Sequence, residues 1–313
     1  MLAAGLVLMG FARDGVGLAI AMAVIGLGQS LGLSPTPFAI LVQLYGEAAR
    51  RPITGVALIG GLGSTLGWPL TAWFADELGW RGACFVWAGV QVLFCLPLTA
   101  WLCPRTQGRP RHAATHGEVR WDRPMVQLAI LFACAWFVST CMSAHLPRLL
   151  TRFGLTLAQA SAAAGLVGIA AVTVRFLEFT VLRKLNPVAT TRTATLMHPT
   201  GVLALLSFGG GSGAAVMAIG QGAGNGMLAV AKGVLPLSLY GERNYAYRSA
   251  ILGRPALWAQ VFGPTVFAMA LERSATGAVL ATSALCLVMF AMTFGLVRRD
   301  QPAPSFQRLA GNS

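Results

Sequence analysis

Lys232 stands in GQGAGNGMLAVAKGVLP, residues 220–236, among glycine and aliphatic residues, in a chain with only two lysines. Gln221, Asn225, Leu228 and Lys232 follow one another at intervals of four, three and four residues, which puts them on one face of a helix. An ammonium group with two amides above it suits an anionic or strongly polar ligand, and an ionisable side chain inside an apolar run is by default a functional-site hypothesis. A second reading stands beside it. Lys232 lies eight residues before Tyr240, about 12 Å along a helix, so its stem can reach part of the way to a headgroup layer, and the glycines can serve close helix packing. The other charged spot is AAVTVRFLEFTVLRK, where Arg175 and Glu178 are three apart and share a helix face. Arg175 can hold a substrate anion while Glu178 carries a coupling proton; alternatively the two neutralise each other and latch two halves of the protein together, which is the reading adopted.

Other chemistries lack their residues. Catalysis inside a membrane needs paired carboxylates, a histidine, or a nucleophile with its base. Glu178 is the one acid within a span, and His145 and His198 are placed toward span ends, so no enzyme is expected. His112 and His116 have metal-like spacing, but no carboxylate or cysteine completes a site in that polar segment. The six cysteines lie singly in apolar runs, as buried small hydrophobes do. Neither a metal nor a cofactor is expected.

These residues must be positioned by membrane-spanning helices. The 313 residues are 56% hydrophobic and 11% charged, with a mean hydropathy of +0.67, too few charges to cover a water-soluble globule. The net charge of +13 is spread in short islands between apolar runs rather than over one basic face, which argues against nucleic acid as a partner. Runs long enough to span fall at about 16–44, 52–75, 82–103, 125–146, 157–182, 193–210, 213–239, 247–271 and 275–297. A further run at 1–12 is too short to cross and lacks the basic leader of a signal peptide. Connections on one side carry Arg50, Arg51, Arg105, Arg109, Arg111, Arg120, Arg123, Arg183, Lys184, Arg192, Arg243, Arg248, Arg298, Arg299 and Arg308. The other side has Arg13, Arg81, Arg148, Arg152 and Arg273, so the first side is predicted to be cytoplasmic, including the linker and the C-terminal tail.

The chain divides at the basic linker 104–124, between a bundle at 1–103 and one at 125–298 followed by a tail at 299–313. LYGE occurs at 44–47 and again at 239–242, and Pro69 and Pro264 share that offset of 195 residues. Parallel six-span repeats are one recurring transporter design. A first repeat in register with the second would begin roughly 70 residues before Met1, so two spans and part of a third are expected upstream.

GLGQSLGLSPTPF at 26–38, GVALIGGLGSTLGWP with GWRGACF within 55–85, and GAGNGMLAVAKGVLPLSLYG at 222–241 together resemble a bacterial major facilitator superfamily transporter, from the family's third helix to its twelfth. The resemblance implies an all-α membrane protein with two bundles around a central cavity, nine full spans plus a partial first one in a 4+6 arrangement, working by alternating access. It makes 213–239 the tenth helix, a cavity liner. It further implies a monomer in the inner membrane, moving a small-molecule substrate, with a proton or sodium ion as possible coupling partner.

Departures from the family pattern are specific. Met22 stands where many proton-coupled members carry arginine, and Gly63 and Gly67 keep only part of the antiporter pattern, with Pro69 one place late and Thr71 and Ala72 in glycine positions. Weaker candidates are Gln29, Ser30, Ser34 and Thr36 in the fourth helix, where Pro35 and Pro37 should bend or break it. Trp136, Ser139, Thr140 and Ser143 could line the seventh, and Arg254 reads as an interface anchor. The expected function is transport of an anionic organic metabolite. Efflux of an amphipathic compound and a non-transporting fragment are the alternatives.

Overall fold

The computed structural model describes residues 1–32, 36–102, 119, 121–182, 185–242 and 244–296, with only the backbone at 64, 65, 68, 69 and 102; among them the chain is helical, without a strand. In the first bundle α1 (Leu2–Phe11) pairs with α2 (Gly15–Gly32), α3 is Thr36–Tyr45, α4 is Arg50–Val90, and α5 is Leu96–Leu102. The α1–α2 pair is close because a Cβ on Gly28 would meet the Leu2 backbone nitrogen at 2.9 Å. Gly79 (φ 71°, ψ 165°) breaks α4 into two helices, in a backbone region that only glycine adopts without strain. The second half continues through a π-helical turn at Gln91–Cys95 into α5.

The second bundle is α6 (Arg123–Arg152), α7 (Leu157–Thr180), α8 (Pro187–Phe208), α9 (Gly210–Tyr240), α10 (Tyr245–Arg273) and α11 (Ala275–Met292). Each of the nine expected spans therefore has its helix or helix pair. Among the described residues six stretches are long and apolar enough to cross a membrane: Gly15–Gly63, Leu70–Trp101, Arg123–Arg152, Leu157–Thr180, Gly210–Tyr240 and Ala275–Met292. The α8 and α10 helices fall outside that set, since α8 opens on PVATTRTAT and α10 on YAYRSAILGR. In α8 the threonine hydroxyls of Thr190, Thr191, Thr193 and Thr195 donate to carbonyls three or four residues back, which satisfies them inside their own helix.

Local signals set the helix starts. Thr156 and Gln159 form a reciprocal capping box on α7, and Asn186 and Ser274 cap α8 and α11. Asp122 caps α6 by accepting from Met125 N at 3.0 Å, and the same carboxylate oxygen accepts from Tyr240 Oη at 2.6 Å, joining the start of α6 to the end of α9. Asp122→Ala is expected to cost about 1–3 kcal/mol by removing both bonds. A melting temperature in detergent equal to that of the unmodified protein would contradict this.

The second bundle holds one large core drawn from all six of its helices, and a smaller cluster lies between the bundles. Phe38, Val42, Ala49 and Ile53 of the first bundle meet Val230, Val234, Leu237 and Tyr245 of the second, all toward the side where the linker leaves. The two LYGE copies lie on this side as well. Gly46, at φ +57°, lies against Glu242, whose Oε2 would stand 2.5 Å from a Cβ there.

Candidate functional site

Three arginines lie on or beside the seam between the bundles. Arg50, at the start of α4, donates Nη2 to Leu185 O at 2.9 Å in the turn that follows α7. Arg51 lies over the Phe179 ring, 5.6 Å from its centroid. Arg175, on α7, lies against Gly61 of α4 and makes two long hydrogen bonds to backbone carbonyls, at 3.4 Å to Ala57 O on α4 and 3.5 Å to Gly226 O on α9. Bonds of that length hold a guanidinium loosely. Glu178, one turn along α7, is 6% exposed, and its Oε2 has no partner. It lines a cavity of about 10 Å³ with Arg50, Thr54 and Thr190, and it feels the charges of Arg50 and Arg175. Neither arginine comes within ion-pair distance of it. Among the described residues the 4 Å ion pair is Arg148 with Glu272, at 3.5 Å and exposed.

The α9 helix presents different chemistry on each face. Its glycines let neighbouring backbones approach: Gly222 and Gly226 lie against Val167 and Ala171 of α7, and Gly220 and Gly224 against Met197 and Ala194 of α8. The polar face predicted from spacing turns into the second bundle. Lys232 Nζ sits 3.3 Å from the centroid of the Trp136 ring on α6, a cation–π contact. It is also close enough to Arg175 for the two charges to repel. Gln221, Asn225 and Leu228 line a pocket of about 20 Å³ that Ser139 of α6, His198 of α8, and Cys286 of α11 complete.

His198 was not singled out by the sequence and is a correction. It lies midway along α8 rather than toward a span end, because the helix starts at Pro187, six residues before the apolar run. At 3% exposure it is buried, with Nε2 3.0 Å from Thr282 Oγ1 of α11. Histidine eleven residues into a helix that opens on an Asn-Pro cap was the available signal.

The remaining candidates are scattered. Gln29 and Ser30 are exposed on α2, with Ser30 Oγ bonded to Leu27 O at 2.8 Å. Ser34 and Pro35 lie outside the described residues, as do His112 and His116, and α3 begins at Thr36 with Pro37 in its first turn. Thr140 back-bonds to Trp136 O and Phe137 O, and Ser143 and Arg254 are exposed. Thr71 donates to Gly67 O at 2.6 Å and accepts from Trp87 Nε1 at 3.0 Å. His145 contacts Pro264 O at 3.0 Å and stacks on Phe267.

A family model, Major Facilitator Superfamily, matches residues 1–220. No curated protein sequence matches the chain. Among solved structures it is similar to the human organic anion transporter MFSD10 (TETRAN), with a TM-score of 0.65 and 17% identity over 93% of this chain and 74% of that one. It is also similar to FucP, a transporter of the same superfamily in the outward conformation, with a TM-score of 0.69 and 12% identity over 95% of this chain and 83% of that one. At these identities the structural likeness establishes the fold.

Proposed function

The chain belongs to the major facilitator superfamily, is a multi-pass membrane transporter rather than an enzyme, and on that premise we propose that it moves a small anionic organic solute by alternating access. The carrying observation is the imbalance of charge beside the seam. Arg50, Arg175 and Lys232 bring three positive charges around Glu178, the one buried acid among the described residues, and Lys232 and Arg175 repel each other. Neighbouring cations away from water cost free energy that an anion placed between them relieves. Carbonyls and an aromatic face hold Arg175 and Lys232, and both can turn from these to a carboxylate without breaking an ion pair. The likeness to a human organic anion transporter agrees in substrate class.

Gln221 and Asn225 supply amides on the face that carries Lys232, and Gln29 is a further polar contact from the first bundle. Arg175 and Glu178 are assigned to the seam, where each reaches α4 separately, Arg175 at Ala57 O and Glu178 beside Arg50, so that together they latch the bundles while Glu178 can exchange a coupling ion, a proton or sodium. The linker side is cytoplasmic by its 15 basic residues against five on the other side, so the apolar contact there closes the cytoplasmic route. A bacterial inner membrane and a monomeric transporter complete the reading.

Uptake of labelled lactate, succinate and citrate into vesicles made from cells expressing the full chain tests it. Lys232→Ala is expected to lower carboxylate uptake roughly 10- to 100-fold, the loss of one charge-assisted bond. Carboxylate transport unchanged in Lys232→Ala would sink the anion reading. Expulsion of an amphipathic dye that carboxylates do not inhibit would replace it with efflux.

A further inference from the structure

The pocket between α6, α8, α9 and α11 carries an inference that does not rest on the transport reading. Thr282 Oγ1 donates its proton to Val279 O at 2.9 Å, back along its own helix. With that proton spent, His198 Nε2 meets the hydroxyl's lone pairs at 3.0 Å, which favours the tautomer with its proton on Nε2 and a bare lone pair on Nδ1. That Nδ1 is buried and meets no partner in hydrogen-bonding geometry among the described residues, although the Gln221 amide stands beside the ring. Leaving a buried acceptor unpaired costs about 1–3 kcal/mol. The pocket beside it offers about 20 Å³ to the centre of a water-sized sphere, above the roughly 10–15 Å³ that one water needs. Three more polar side chains line it: Ser139, Gln221 and Asn225. A buried water needs two to four such partners. Among the described residues no Asp, Glu, Lys or Arg lines the pocket, so the guest it suits is neutral.

We propose that this pocket is a buried-water site, in which one water donates to His198 Nδ1 and is held by Gln221, Asn225 and Ser139. The water joins α6 by Ser139, α8 by His198 and α9 by the two amides. Ser139 and Asn225 are only partly buried and form its mouth, whereas His198 and Gln221, at 3% and 4% exposure, form its back.

Nitrogen NMR of the full chain in lipid nanodiscs, labelled at its four histidines, tests this directly, with His198→Asn assigning the signal. The expected result is a pyridine-type Nδ1 at the shift of a hydrogen-bonded acceptor, with magnetisation transfer from water. Ser139→Val fills the mouth with methyl groups and is expected to abolish that transfer and move Nδ1 to the unbonded position. His145, held at Pro264 O, should not move. An unbonded Nδ1 in the unmodified protein overturns the proposal, as does transfer from side-chain amide protons instead of water, which would mean that Gln221 or Asn225 donates to the ring itself. A proton on Nδ1 overturns it too. The unmodified protein's spectrum decides by itself if Ser139→Val does not fold.

Discussion

Gly222→Leu is expected to leave little folded protein. A Cβ at position 222 would overlap Val167 O and stand 2.9 Å from the Val167 carbonyl carbon and Cα, so the obstacle is backbone that cannot rotate aside. The α7 and α9 helices would have to separate, and Gly226 lies next along the same contact, where a Cβ would meet Ala171 O at 2.7 Å. Within lipid, helices associate through close packing and hydrogen bonds rather than through the hydrophobic effect, so losing that approach removes the force that joins the pair. Overpacking costs about 1–3 kcal/mol where side chains can shift, and an obstacle of rigid backbone belongs at or above the upper end. The measurement is the monodisperse fraction in detergent and its melting temperature, with Gly165→Leu as control, because a Cβ there meets nothing within 4 Å. Equal melting temperatures for the two variants would refute the close approach of α7 and α9.

Gly233→Phe is expected to part the bundles while leaving each folded. A Cβ at 233 would meet Ile53 Cγ2 at 2.7 Å and Phe38 Cδ2 at 2.9 Å, both from the first bundle, so an aromatic ring at this position pushes across the seam and not into its own core. The seam is smaller than the core of the second bundle, and a two-bundle transporter must open such a contact in each cycle. Val42, at 3% exposure, reports on it. A cysteine introduced at Val42 is expected to react with a water-soluble maleimide at least about 10-fold faster in the Gly233→Phe background, since reaction follows the open population when closing is fast. Solute uptake should fall as the closed state is lost. Labelling at the unmodified rate would mean that the seam yields without opening.

Membrane residence, the all-helical fold and the family were legible in the sequence, because each depends on composition, short-range periodicity or local motifs. Leu157–Thr180 and Gly210–Tyr240 declare themselves by apolar length, and a spacing of four, three and four residues places Gln221, Asn225 and Lys232 on one face wherever α9 happens to dock. The α8 start was misread for a related reason: hydropathy scores threonine as polar, yet a helical threonine returns its hydroxyl proton to its own backbone.

What meets a face is decided only when distant segments converge. Trp136 comes 96 residues before Lys232 and Thr282 84 residues after His198, and no local pattern announces that the first places a ring under an ammonium group or that the second orients an imidazole. Arg175 and Glu178 show the same division. Their spacing predicted neighbours on one helix, but α4 packing against α7 turned the guanidinium to Ala57 O and left the carboxylate facing Arg50. Helix propensity and hydropathy act over a few residues. The choice of partner is made by shape and polar satisfaction across whole helices, and that information exists only in the folded chain.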